Sequence, residues 1–401
     1  MTVHGDAPRR RSARPLRIAS LVHGVGGVDS GVRRLILDQA AAWSRVPGVS
    51  IGLFVRCEAG TEDAWRNEPN VVAVTSSSLG MPGRFVAREL LSLRLALWRP
   101  DVIYLRHSTI SPSVLLLASA FPTVVGGDLD DLDELAIRSR LRFWYMRFTR
   151  QRLLRRARRI MVVTPEIGQQ PSIASVDKPV DVLPNTIDVD AYPVMDAPHN
   201  ASPRLAFIGA PRLPWAGVDK IVRLARHFPE WRFDVIGSDA DELGDAPPNL
   251  AAHGQLTRDR YLPILAEADV AIGPLALHRK SLNETSALKV AEYLACGIPV
   301  ILASRETAFP DGAPFLLEIP NTEDNVDTAI GAIREFVTEW QGRRVPREAI
   351  TAIDAGVVEA QRIALLADEA RSARRVAGTP RRRILARGTT SEPVGTARRD
   401  S

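Results

Sequence analysis

Asn283-Glu284-Thr285-Ser286-Ala287-Leu288-Lys289-Val290-Ala291-Glu292-Tyr293-Leu294-Ala295-Cys296-Gly297-Ile298-Pro299-Val300 decides how this chain is read. Seven residues separate Glu284, in the approach to a predicted helix, from Glu292 inside it. Ser286 is a natural N-cap, Gly297 suits the residue just past the helix, and Pro299 forbids continuation. A helix N-terminus offers free backbone N–H groups and the positive end of a dipole, so Ser286, Ala287, Leu288 and Lys289 form an end suited to a diphosphate. Eight positions along a helix rise about 12 Å, roughly the span of a sugar and a ribose joined through two phosphates. Glu284 would then reach a sugar hydroxyl and Glu292 the ribose. The plainer reading is an amphipathic core helix with two solvated glutamates.

Size and charge narrow the classes. At 401 residues the chain calls for two domains. With 45% hydrophobic and 25% charged residues it has the composition of a globular enzyme, and no apolar run nears the roughly 18 residues that cross a bilayer. The Arg-rich start leads into the short run Ile18 to Val22, a strand rather than a signal peptide. Cys57 and Cys296 lack metal spacing, and two cysteines suggest a reduced, cytoplasmic protein. The pI near 9.5 invites a nucleic-acid partner, but the charge is in the wrong place. Residues 1–15 carry +3 and residues 371–401 carry +7, so residues 16–370 sum to −5. The body is acidic and the tails, rich in Gly, Pro, Ser and Thr, are expected to be disordered.

Short apolar runs alternate with helical patterns, the signature of parallel sheets covered by helices. Strands are expected at Arg17–Val22, Ile51–Arg56, Val71–Val74, Asp101–Leu105, Thr123–Gly126 and Ile160–Thr164. A second series follows Pro203, at Arg204–Ile208, Arg232–Ile236, Ala268–Ile272 and Val300–Ala303. Both series have the proportions of Rossmann-like units. The expected organisation is a basic tail (1–15), a first domain (16–184), a Pro-rich hinge (185–203), a second domain (204–345), a crossover helix (346–370) and a second basic tail (371–401).

The paired glutamates, the Gly297-Ile298-Pro299 turn, the segment Val182 to Tyr192 and the stretch Phe207 to Lys220 together resemble retaining glycosyltransferases of the GT-B type, family four. The resemblance spans roughly residues 16–370 and is strongest from Leu183 to Ser304. It implies two facing Rossmann-like domains, with a C-terminal helix crossing back to the first. It implies transfer of a hexosyl group from a nucleotide-sugar to a glycan, lipid-linked or small-molecule acceptor, as in building cell-envelope polysaccharide, with no metal or other cofactor. In the family an Arg and a Lys clamp the donor diphosphate. Arg212 stands near the first of these positions, but Ala216 holds the second. Lys220, or Arg279 and Lys280 ahead of Glu284, could restore the charge; solvated loop positions are the alternative.

The remaining motifs are less specific. Gly24 to Gly31 holds four glycines after the first strand, and Gly26 and Gly27 would let backbone N–H groups approach an acceptor or phosphate. As a dinucleotide fingerprint it is off-pattern. Asp128 to Glu134 contains Asp-x-Asp twice, a metal motif in the other glycosyltransferase fold. Here it reads as a helix entry, with Asp128 a candidate acceptor contact. Arg106 and His107 follow the strand Asp101–Leu105 on the same rim; His107 could position the sugar or accept a proton. Arg138 to Arg159 holds ten arginines and no acid, with Phe143, Trp144, Tyr145 and Phe148 among them. That segment suits anionic lipid at the inner face of a membrane, a lipid-diphosphate acceptor, or merely a solvated face. No nucleic-acid module is recognisable. Two rivals to the transferase are a nucleotide-sugar epimerase of the same fold and an inactive, membrane-recruited homologue, favoured only by Ala216.

Overall fold

The structure is a computed structural model that describes residues 14–23, 31–57, 59–76, 80–106, 111–127, 139–193, 195–209 and 212–378. His107, Asp128, Gly26 and Gly27 lie outside the described residues.

The first sheet comprises β1 (Leu16–His23), β2 (Val49–Cys57), β3 (Val71–Thr75), β4 (Val102–Arg106), β5 (Thr123–Gly127), β6 (Arg159–Val162) and β7 (Val180–Val182). All are parallel, in the order β3-β2-β1-β4-β5-β6-β7. The second is formed by β8 (Arg204–Ile208), β9 (Arg232–Ile236), β10 (Leu250–Ala252), β11 (Val270–Ile272), β13 (Val300–Leu302) and β15 (Leu316–Glu318), in the order β10-β9-β8-β11-β13-β15. The short strands β12 (Glu284–Thr285) and β14 (Arg305–Glu306) pair beside it. In both sheets the order reverses at the first strand of the series, the doubly wound arrangement whose ligands bind beyond the carboxyl ends of the strands. The inner strands have apolar side chains on both faces, as helical cover on each side requires: Ile18, Ala19, Leu21 and Val22 are all buried.

The covering helices include α1 (Gly31–Ser44), α2 (Gly80–Trp98), α3 (Pro112–Ala120), α4 (Arg140–Arg156) and the single turn α5 (Pro165–Gly168) in the first domain. The second has α6 (Val218–His227), α7 (Arg258–Ala266), α8 (Leu288–Ala295) and α9 (Ile330–Trp340). Among the strands, β7, β10, β12, β14 and β15 went unread in the sequence. Each is only two or three residues long, too short for an alternation to register.

The crossover differs from expectation at both ends. Residues Arg347–Ile353 form a 3₁₀ turn, and the long helix α10 runs from Ala355 to Gly378. Ile187 N donates to Ile353 O at 3.0 Å and Ala355 N to Ile187 O at 2.9 Å, so the two interdomain connections lie side by side. The helix therefore includes residues 371–378 of the expected tail, and Arg374 pairs with Asp101 of the first domain at 2.7 Å. Glu359, almost fully buried, accepts from Trp43 Nε1 at 2.7 Å, Gln39 Nε2 at 3.0 Å and Arg362 Nε at 2.9 Å. Arg362 in turn donates to Tyr104 Oη. Those bonds fasten α10 to the first domain's sheet and α1.

Candidate active cleft between the two sheets

The loops leaving the carboxyl ends of β6, β8 and β11 converge on one cavity of about 320 Å³. Thr164 and Ile167 line it from the first domain; Trp215, Lys280, Glu284 and Lys289 line it from the second. Ala216, Ser286 and Ala287 complete the wall of the second domain.

Helix α8 ends as the sequence requires. Gly297 adopts φ +77°, Ile298 N donates to Tyr293 O and Gly297 N to Leu294 O, both at 2.9 Å: a Schellman motif closed before Pro299. Its beginning differs. The N-cap is Ala287, not Ser286, and its methyl side chain offers no cap. The Ser286 hydroxyl is already engaged, accepting from Asn185 N at 2.8 Å, while Asn185 Nδ2 donates to Ser286 O at 2.8 Å. The serine holds the hinge and is not the acceptor for the first-turn N–H groups of α8 beside the cavity. Glu284 lies in a strand, so only Leu288 to Glu292 obeys helical rise, and the 12 Å helical span between the glutamates does not apply.

Lys289 Nζ lies 4.3 Å from the centroid of the Phe207 ring and has no carboxylate partner among the described residues. Burial lowers its pKa to about 8. An ammonium in that setting favours an anion that would restore its charge. Glu306, on β14 behind this helix start, is the opposite case. It is buried, and burial pushes its carboxyl up to about 8 despite backbone N–H groups at Ala308 and Ala287.

The two glutamates have separate surroundings. Glu284 Oε2 accepts from Glu166 N of α5 at 2.7 Å. The Glu166 carboxylate accepts in return from Asn283 N at 2.7 Å and Glu284 N at 2.9 Å. Glu292 does not line the cavity. Its Oε1 accepts from Tyr261 Oη at 2.7 Å and from Tyr192 Oη and Arg34 Nη1 at 3.3 Å, between α7, the hinge and α1. Burial, reinforced by the Glu292 charge, raises the pKa of both phenols, which keeps them donors at neutral pH.

The other expected donor contacts separate into two groups. Lys280 lines the cavity with its Nζ 5.0 Å from the Trp215 ring centroid, and Leu288 lies 3.7 Å from where a side chain on Gly31, at the start of α1, would begin. Lys220 is buried elsewhere, donating to Thr322 O and Asn325 Oδ1. Arg279 forms a bidentate pair with Asp219, both bonds 2.8 Å, and bonds Glu323 as well. Arg212 is exposed in the left-handed region at φ 57°, outside the cavity lining. Arg106 is buried at the end of β4 against Gly127. Glu166, Thr164 and Trp215 were missed in the sequence. Thr164-Pro165-Glu166 is nonetheless a helix start directly after β6, with Thr164 Oγ1 accepting from Ile167 N at 3.1 Å.

Comparison with known proteins agrees with the architecture. Residues 219–392 match the family model described as glycosyl transferase-like. No curated protein matches the sequence. Among solved structures, sucrose-phosphate synthase from Thermosynechococcus elongatus is similar over 90% of this chain and 98% of its own, at 15% identity and a TM-score of 0.57. HepE from Anabaena, in complex with UDP, covers 88% of this chain and 100% of its own, at 14% identity and a TM-score of 0.57. UDP-GlcNAc 2-epimerase from Neisseria meningitidis, bound to UDP-GlcNAc, covers 88% and 100% at 10% identity and 0.53. The chain has the GT-B fold, and its second half is glycosyl transferase-like.

Proposed function

We propose that the chain transfers a hexosyl group from a nucleotide-sugar donor to a glycan, lipid-linked or small-molecule acceptor, with retention at the anomeric carbon and without a metal. The observation that carries this reading is Lys289, a half-buried lysine at the start of α8 with no carboxylate partner among the described residues, in a cavity walled by both domains. In this reading the donor diphosphate sits on the first-turn N–H groups of α8, with Lys289 and Lys280 supplying the charge that Ala216 does not. Glu284 orients the transferred sugar. Glu292 takes the ribose hydroxyls in exchange for part of its present contacts with Tyr192 and Arg34. The acceptor hydroxyl attacks from the face of the departing phosphate and passes its proton to that phosphate's oxygen. Closing the domains about the hinge keeps water from competing. Lys220 and Arg279 contribute through the segments they hold, at Thr322 and Asn325 and at Asp219 and Glu323. We place this activity in the cytoplasm, in the building of cell-envelope polysaccharide.

UDP in the Anabaena neighbour supports a uridine donor, and a thermal-shift panel of UDP, GDP, ADP and TDP sugars tests it, since a ligand of the folded state raises its melting temperature. No shift with any nucleotide-sugar overturns the reading. The epimerase neighbour favours a second activity on the same fold. Conversion of UDP-GlcNAc with no acceptor present would establish that instead.

A further inference from the structure

We propose that the outer face of the first domain formed by α2, α3 and α4 docks on an anionic lipid bilayer. Helices α2 and α4 each bury one apolar stripe and present a second one outward. On α2, Ala87, Leu91 and Leu95 are buried, while Val86, Leu90, Leu93 and Leu97 follow the i, i+4, i+7, i+11 spacing of the opposite face at 63%, 40%, 56% and 73% exposure. On α4, Met146, Leu153 and Leu154 face the core, while Leu141, Trp144, Tyr145 and Phe148 face out at 43–84% exposure. Leu116 of α3 is 70% exposed between them. Among the described residues, every exposed large apolar side chain belongs to one of these three helices except Val32, Val180, Val182 and Val357.

The three helices form one continuous surface. Ser113 Oγ donates to Ser92 Oγ, joining α3 to α2, and Arg156 Nε donates to Ser119 Oγ, joining α4 to α3, both at 2.9 Å. Tyr145 lies near enough to Arg88 to act on its charge. Arg140, Arg147, Arg152 and Arg155 are exposed along α4. The only acid within the three helices is Glu89, whose Oε1 is buried. Arg147, Phe148, Trp144 and Arg155 also wall a cavity of about 460 Å³ against the turn Pro171–Ser175, large enough for a phosphate headgroup. Arg147 and Arg155 have no carboxylate partner among the described residues.

This combination selects its occupant. Leucine and valine stripes find a solvent only in acyl chains, Trp and Tyr prefer the headgroup boundary, and guanidinium groups pair with lipid phosphate. A second copy of the same face would bring arginines against arginines with no acid to meet them. Nucleic acid would leave the aliphatic stripes exposed. No described helix is long and apolar enough to cross a membrane, so the contact would be one of lying on the surface.

Vesicle sedimentation of the full chain tests this, and it does so without reference to donor binding. The chain should sediment with phosphatidylcholine–phosphatidylglycerol vesicles, not with phosphatidylcholine alone, and should be released by salt. The basic tails could bind anionic vesicles by themselves, so the deciding variant leaves every charge in place. Trp144→Ala with Phe148→Ala should weaken partitioning at least about tenfold. Arg147→Glu with Arg155→Glu should weaken it likewise, with unchanged thermal midpoints reporting intact folding. Brominated lipid should quench tryptophan fluorescence, and Trp144→Phe should remove that quenching while partitioning persists. Equal partitioning of the Trp144/Phe148 double variant would assign the binding to the tails and overturn the proposal. So would failure to bind any vesicle, or self-association in solution that the same double variant abolishes.

Discussion

Glu284 and Glu166 exchange hydrogen bonds across the cleft: each carboxylate accepts from the other's backbone N–H, at 2.7 and 2.9 Å. The pair spans the two domains, and one member is the residue proposed to orient the sugar. A donor that engages the Glu284 side chain must take it from the amide of Glu166, while the Glu166 carboxylate keeps the Glu284 backbone in place. Glu166→Ala should therefore lower kcat about tenfold by leaving the Asn283 and Glu284 amides without their acceptor. Glu166→Gln, which keeps a carbonyl acceptor, should restore most of that loss. Glu284→Ala removes the proposed contact to the sugar itself and should cost about a hundredfold or more in kcat/KM at unchanged melting temperature. Steady-state kinetics on the three variants checks both expectations.

The second prediction concerns pH. In the proposed complex the diphosphate meets a protonated Lys289, and burial lowers the pKa of that ammonium to about 8 in the free protein. Nucleoside diphosphate affinity should thus be flat below pH 8 and fall above it, by up to about tenfold per pH unit. Lys289→Met should bind weakly at every pH and lose that dependence. Titration calorimetry across pH 7 to about 9.5 distinguishes this from a fall caused by general loss of structure.

Much of the fold was legible because parallel sheets leave long apolar strands between amphipathic helices. β8, β9, α6 and α7 have the bounds the residue pattern implies. The site was legible only in part, because the decisive contacts run between residues far apart in the chain. Nothing local to Ser286 says that its hydroxyl will hold the hinge at Asn185 rather than cap its own helix. Nothing local to Lys220 or Arg279 says that Asn325, Asp219 and Glu323 will occupy them. Lys289 stood inside the quoted motif, but its burial depends on Phe207, more than eighty positions away.

A third prediction follows from Glu306. Its folded pKa, about 8, lies above the ordinary value of 4.5, so the folded state binds more protons than the unfolded state between those limits. Stability should fall as pH rises through that window. Glu306→Gln keeps the shape and removes the ionisation, so it should raise the melting temperature at pH 8 and change it little at pH 4.5. Melting curves at the two pH values check the sign.

The crossover yields the last prediction. Glu359 is buried among Trp43, Gln39, Thr186 and Arg362, and joins α10 to the first domain and the hinge. Removing one member of a buried ion pair leaves the other charged and unsolvated, at a cost of about 3–5 kcal/mol. Glu359→Ala strands Arg362 in this way, together with the indole N–H of Trp43. Glu359→Gln retains an acceptor for the indole and should lose less. Replacing Glu359 and Arg362 together by Leu and Met should recover most of the loss, because an apolar pair owes no solvation. The denaturant midpoint of the first domain should move in the order wild type, double variant, Gln, Ala. If the Ala variant instead matches wild type, the network contributes nothing to docking the crossover helix, and apolar packing of Val358, Ile363, Leu366 and Ala370 holds it to the sheet.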